Sequence, residues 1–123
     1  MEYEVIYGDR AQDDLDRTYL RILRFRGVDV ATRWYSDIQA DIKSRLSQFP
    51  EGFVISEDGC AAYPGTLVRQ WVWGRGNGAF RVYFFVISPR EDEGEIVGIV
   101  RVLRIRLAIR RPLSQAPVDE DNE

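Results

Sequence analysis

Four arginines in this sequence are of a type and placement that could do chemistry: Arg69, Arg81, Arg104 and Arg106. Each lies in a run rich in β-branched or aromatic residues: TLVRQWVW (66–73), AFRVYFFVIS (79–88) and IVRVLRIRLAIRR (99–111). Guanidinium groups gathered on one sheet surface bind phosphate or carboxylate bidentately and can stabilise a phosphorane-like transition state. Trp71, Trp73 and Tyr83 on the same runs could stack on bases. Core packing is the expectation for them, because helices laid on a sheet need large apolar residues beneath.

Other chemistries drop out quickly. The chain has no histidine and one cysteine, Cys60, so Ser-His-Asp and Cys-His catalysis and the usual zinc sites are excluded. No metal and no cofactor are expected. GRGNG (74–78) looks like a phosphate loop but lacks the following GK[ST] and helix, so it reads as a hairpin turn. NGAFRVYFF invites comparison with an RNA-binding RRM strand. That module requires a helix between its last two strands, and only PREDEGE intervenes here.

The elements that must position the arginines follow from periodicity. YEVIYG (3–8) alternates as a strand. Ala11, Leu15, Tyr19, Ile22 and Phe25 recur at helical spacing, predicting a core-facing helix over 9–26, capped by Asp9 and ended by Gly27. Its other face carries Arg10, Arg17, Arg21 and Arg24 among Asp13, Asp14 and Asp16, the pattern of a solvated face with local ion pairs. A second helix is predicted over 30–48, with Ala31, Trp34, Ile38, Ile42 and Leu46 on one side, closed by Phe49-Pro50. Residues 50–65 show no clear periodicity and read as a long loop, in which FVIS is a candidate stray strand.

Three strands then form a meander, with PREDEGE (89–95) as a polar turn. In the last strand, Leu103, Ile105, Leu107 and Ile109 are expected on one face and Arg104, Arg106 and Arg110 on the other. Its first half, Ile96 to Val102, should be central and buried, and its far end should emerge with an arginine face. The predicted fold class is α+β, in the order β-α-α-β-β-β, with the helical hairpin on one face of a mainly antiparallel sheet. Residues 1–111 form one domain, and 112–123 an acidic, disordered tail.

Charge is unevenly distributed. The net charge of −3 conceals a tail, DEDNE, that carries four acidic residues; residues 69–111 hold nine arginines against four acidic groups. That excess suits an anionic partner. No apolar run reaches a membrane span, the N-terminus does not read as a signal peptide, and a lone cysteine fits a reducing compartment, so a cytoplasmic protein without membrane association is expected.

Taken together, YEVIYGDRAQDDLDRTYLRI, LSQFPEG, LVRQWVWGRGNGAFRVYFFVIS and IVRVLRIR resemble the RelE/ParE toxin superfamily of bacterial type II toxin–antitoxin modules over about residues 1–107. Ala11, Asp14 and Leu15 match its Ala-x-x-Asp-Leu helix start, Leu46 and Pro50 its Leu-x-x-x-Pro. Phe80, Arg81, Val82 and Tyr83 match its aromatic-Arg strand. The resemblance implies a growth-arresting toxin, of the kind associated with plasmid stabilisation, neutralised by a cognate antitoxin in a hetero-oligomer. Its target is then either DNA gyrase, as in ParE-like members, or ribosome-bound mRNA, as in RelE-like endonucleases. As a nuclease it would work through Arg69, Arg81, Arg104 and Arg106. As a binder it would meet target or antitoxin through Arg69, Arg81, Tyr83, Arg101, Arg104 and Arg106.

The chain departs from that pattern at its last strand. Arg104 stands where the family often has His, Ile105 replaces the following glycine, Leu107 replaces an arginine, and no tyrosine follows Tyr83. Arginine stays protonated and is a poor general base. The only lysine, Lys43, is on the second helix. With no evident acid–base pair, a ParE-like gyrase inhibitor is the expectation. A RelE-like nuclease and a non-toxic interaction domain of the same fold are the alternatives.

Overall fold

The computed structural model describes residues 2–92, 94–110 and 112–113. Strand β1 (Tyr3–Tyr7) leads into helices α1 (Asp9–Arg26) and α2 (Val28–Leu46). A short helix α3 (Glu57–Ala62) precedes strands β2 (Arg69–Trp73), β3 (Phe80–Asp92) and β4 (Glu95–Leu107). The four strands form one sheet in the order β1-β4-β3-β2. β1 runs parallel to β4, and the other pairings are antiparallel, so β4 is central as expected.

The helical hairpin turns on a single residue. Gly27 has φ 90° and ψ 172°, backbone territory that is essentially closed to residues with a Cβ. Its N–H donates to the Leu23 carbonyl, and its own carbonyl accepts from Ala31 N–H, each at 3.1 Å. One glycine thus ends α1 and starts α2, which begins at Val28 rather than Val30. A Cβ at Gly27 would meet nothing within 4 Å, so Gly27→Ala should cost about 1–3 kcal/mol from backbone strain alone. Urea unfolding would measure it, and an unchanged midpoint would refute the assigned turn.

Asp9 does not cap α1. Gly8 holds the N-cap position, and Asp9 is the first helical residue, where its charge complements the helix dipole. Burial along α1 is complete at Ala11 and Leu15, partial at Tyr19 and Ile22, and lost at Phe25, which is 73% exposed. The expectation that Phe25 is core is therefore overturned: burial fades along α1 and is lost in its last turn. Closer to the sheet the helices are pinned together. Gln12 Nε2 donates to Tyr35 Oη at 3.0 Å, and the Tyr19 and Tyr35 rings meet edge-on at 5.5 Å.

The main core lies between this hairpin and the sheet. Leu15, Ile38, Ile42 and Leu46 pack on Val82, Phe84, Val100, Val102 and Ile105. Trp71 and Trp73 pack against it as expected. The polar run PREDEGE is mostly strand rather than turn, since β3 continues to Asp92 and β4 starts at Glu95. Most of the proposed acidic tail lies outside the described residues. Leu113, which its composition would place in that tail, is buried against the domain.

Candidate functional site: an arginine cleft and a covered sheet face

Strict alternation along β4 fails at one point. Tyr83 pairs with Arg104 but Phe84 pairs with Val102, so Leu103 is an extra residue in a β-bulge. Val100 and Val102 face the helices before it, and Ile105 does so after it. Unbroken alternation from Val102 would have turned Arg104 and Arg106 into that same apolar core. The bulge instead sends Leu103 to a second cluster with Val68, Tyr83 and Leu113, so Leu103 and Ile105 do not share a face.

Beyond Val102, where β1 ends, α1 runs beside the β4 edge. Gly8 N–H donates to the Val102 carbonyl at 2.9 Å. Asp14 Oδ2 then accepts from the Ile105 N–H at 2.8 Å. The same carboxylate takes the Arg104 guanidinium in a fork, Nε to Oδ2 at 2.8 Å and Nη2 to Oδ1 at 3.1 Å. Ala11 and Leu15, flanking Asp14, are in the core, so an Ala-x-x-Asp-Leu spacing puts a carboxylate at the strand edge while anchoring the helix.

Arg104 and Arg106 are therefore not an emerging solvent-exposed face. They are 4% and 5% exposed. Together with Arg17 and Arg21 of α1 and Arg110, they line a small cleft of about 50 Å³ beside Asp14. Helical spacing alone places Arg17 and Arg21 on a solvated helix face. What makes them part of the site is the way α1 is laid along β4, which helical spacing cannot report. Five guanidinium groups around one carboxylate leave the cleft rich in fixed positive charge, which suits an anionic partner group.

Arg69 does not join this group. It pairs with Phe84, a core residue of the helix-facing side, and its Nη1 donates to the Phe53 carbonyl at 2.7 Å. Arg81 pairs with Arg106 and lies on the opposite, outer face with Tyr83. Arg101 pairs with Phe85 and is exposed. The expected convergence of Arg69, Arg81, Arg104 and Arg106 on one surface thus holds for three of them and fails for Arg69 by strand parity.

The outer face is not open at Tyr83. Residues 50–65, expected as an irregular loop, contain a 3₁₀ turn at Pro50–Gly52, a single bridge from Ile55 to Arg69, and α3. Ser56 caps α3, its Oγ accepting the Gly59 N–H at 2.8 Å, with Glu57 and Asp58 in the first turn. That Ser-Glu-Asp sequence was the available signal for the helix. Gly59 permits close docking, because a Cβ there would lie 2.5 Å from Val68 Cγ1.

Under this cover Tyr83 is 2% exposed. Its Oη donates to Asp58 Oδ2 at 3.2 Å, and the same oxygen accepts the Leu113 N–H at 2.7 Å. Asp58 thus ties α3, β3 and the C-terminal segment together, a role that sequence reasoning missed.

Burial pushes the Tyr83 phenol above its ordinary value, the Asp58 charge adds to this, and Arg81 opposes it. Burial, with a smaller contribution from Tyr35, pushes Tyr7 up to about 12. Both phenols are neutral at physiological pH. A folded-state pKa above the unfolded value of about 10 means the unfolded chain gives up its proton first. Their stabilisation is complete below pH 10 and is lost as pH rises through the folded values. Urea midpoints should fall between about pH 10 and 12, with less fall in Tyr7→Phe. A flat profile there would contradict the burial of these rings.

No family model matches the sequence, and no curated protein matches it. Among solved structures, a chain of the chromosomal ParDE TA system from P. aeruginosa superposes with a TM-score of 0.58. The match covers 85% of this chain and 95% of that one. The two chains share a fold. At 22% identity the likeness to the ParDE chain is one of architecture, and it agrees with the α+β order and hairpin-on-sheet packing read from the sequence. Among the described residues, no helix is long and apolar enough to cross a membrane.

Proposed function

We propose that this chain is the toxin of a bacterial type II toxin–antitoxin module, a ParE-like member of the RelE/ParE superfamily. It acts in the cytoplasm by binding and inhibiting DNA gyrase, and a cognate antitoxin holds it in a hetero-oligomeric complex. Residues 1–111 form the toxin domain. The ParDE-like fold supports the toxin class.

The observation that favours binding over RNA cleavage is the covered outer face. The resemblance places a nuclease's working arginine at Arg81, which is half-buried, and α3 and Leu113 close off its same-face neighbour Tyr83. A phenol buried there and raised in pKa by its surroundings is not a base at neutral pH. The arginine cleft suits the acidic segment of an antitoxin, since opposite charge both steers the encounter and fixes its register. Arg21 is its exposed member, and Arg17 and Arg110 are half-buried. Arg104 is committed to Asp14 and to the fold.

Inducible expression should arrest growth, while purified protein added to translating ribosomes leaves the A-site codon uncut. A-site cuts that vanish in Arg81→Ala would replace gyrase with mRNA as the target. Normal growth at high expression would leave only an interaction domain.

A further inference from the structure

The hairpin tip combines exposed apolar and basic side chains. Leu20, Phe25, Val28 and Val30 are 60%, 73%, 59% and 40% exposed, although helical spacing would have assigned Phe25 to the core. Residues 20–33 also carry Arg21, Arg24, Arg26 and Arg33, all exposed, with Asp29 the only acidic residue among them. The sheet-proximal part of α1, residues 9–19, is the reverse, with four aspartates and two arginines. Charge is thus segregated along the hairpin.

The tip is also preorganised. Gly27 locks the turn through its two backbone hydrogen bonds, and the Arg24 guanidinium lies 5.4 Å from the centre of the Phe25 ring. A groove between the helices adjoins it, about 540 Å³ in volume, lined by Tyr19, Leu20 and Tyr35 with Thr32, Ser36 and, at its sheet-proximal end, Asp16. Leu20 belongs to both surfaces.

We infer that this tip is the surface that grips the macromolecular target, a protein presenting acidic side chains around an apolar pocket that receives Phe25. The inference rests on the toxin reading above and assigns the target a contact that meets the arginine cleft only at Arg21. A second copy of this chain is disfavoured as occupant, because it would bring another four arginines against the first. A nucleic-acid backbone would match the arginines but would set four apolar side chains against hydrated phosphates. Arginine beside an aromatic anchor is instead the composition of protein-interface hot spots.

The test is inhibition of supercoiling by purified gyrase holoenzyme, comparing wild type with a Phe25→Ser/Arg24→Glu/Arg26→Glu variant. All three side chains are exposed, so the thermal midpoint should stay near that of wild type. The half-inhibitory concentration is expected to rise roughly tenfold or more. Inhibition within about twofold of wild type, with the variant folded, would overturn the tip assignment and leave the gyrase target standing. Absence of inhibition by wild type itself would remove both. Wild-type binding to a plain DNA duplex that the variant loses would assign the tip to nucleic acid and overturn the inference.

Discussion

Asp14→Ala should destabilise the protein by about 3–5 kcal/mol, the range for breaking a buried ion pair from one side. The Asp14 side chain is 14% exposed and Arg104 is 4% exposed, so solvent screens the pair little. The carboxylate also accepts from the backbone N–H of Ile105 at the uncovered stretch of the β4 edge, and no neighbouring strand stands ready to replace it. Against a total stability of about 5–15 kcal/mol this is a large fraction, and the thermal midpoint should drop by roughly ten degrees or more. Asp14→Asn keeps an oxygen for the Ile105 N–H but loses the charge, so it should fall between. Asp14→Ala combined with Arg104→Met should be milder than Asp14→Ala alone, because no guanidinium is then stranded. Differential calorimetry on the four proteins decides the matter; a loss below about 1 kcal/mol would mean the pair behaves as a surface salt bridge.

Phe84→Ala is expected to cost about 3–5 kcal/mol, while Phe85→Ala costs about 1.5 kcal/mol or less. The two rings are adjacent in sequence and differ only in strand parity. Phe84 is fully buried on the helix-facing side, edge-on to Phe53 at 5.7 Å. Phe85 is partly buried on the outer face opposite Arg101. A cavity under the helical hairpin cannot collapse easily, because Leu15, Ile38 and Ile42 are held there by two long helices. Chevron or equilibrium unfolding in urea measures both losses. Equal costs, or the reverse order, would mean that β3 is in the other register and that Arg81 and Tyr83 face the helices.

The same parity argument shows what a sequence can and cannot reveal. Helix α1, its glycine stop and the core residues Ala31, Ile38, Ile42 and Leu46 were readable, because helical spacing reports directly on which side is buried. Strand identity was readable for β4. Its facing was readable only as far as Val102, because a bulge shifts parity without leaving a mark in composition. Arg104 and Arg106 keep the face opposite Ile105 and are buried because α1 lies along the β4 edge beside them. Arg69 was grouped with Arg81 on the strength of shared residue type, and only the β2–β3 register separates them. Asp58 escaped notice because its partners, Tyr83 and Leu113, lie 25 and 55 residues away. Phe25 was misplaced for a different reason. Periodicity gives the direction of an apolar side chain but not whether another element lies there to cover it.

The proposed function assigns binding to two surfaces, the arginine cleft beside Asp14 and the apolar, basic tip of the hairpin. Supercoiling of relaxed plasmid by purified gyrase, titrated with the purified wild-type protein, tests that reading most directly. Inhibition at micromolar concentration without any cut in ribosome-bound mRNA is the predicted result. Unimpeded supercoiling, together with A-site cleavage that depends on Arg81, would contradict it.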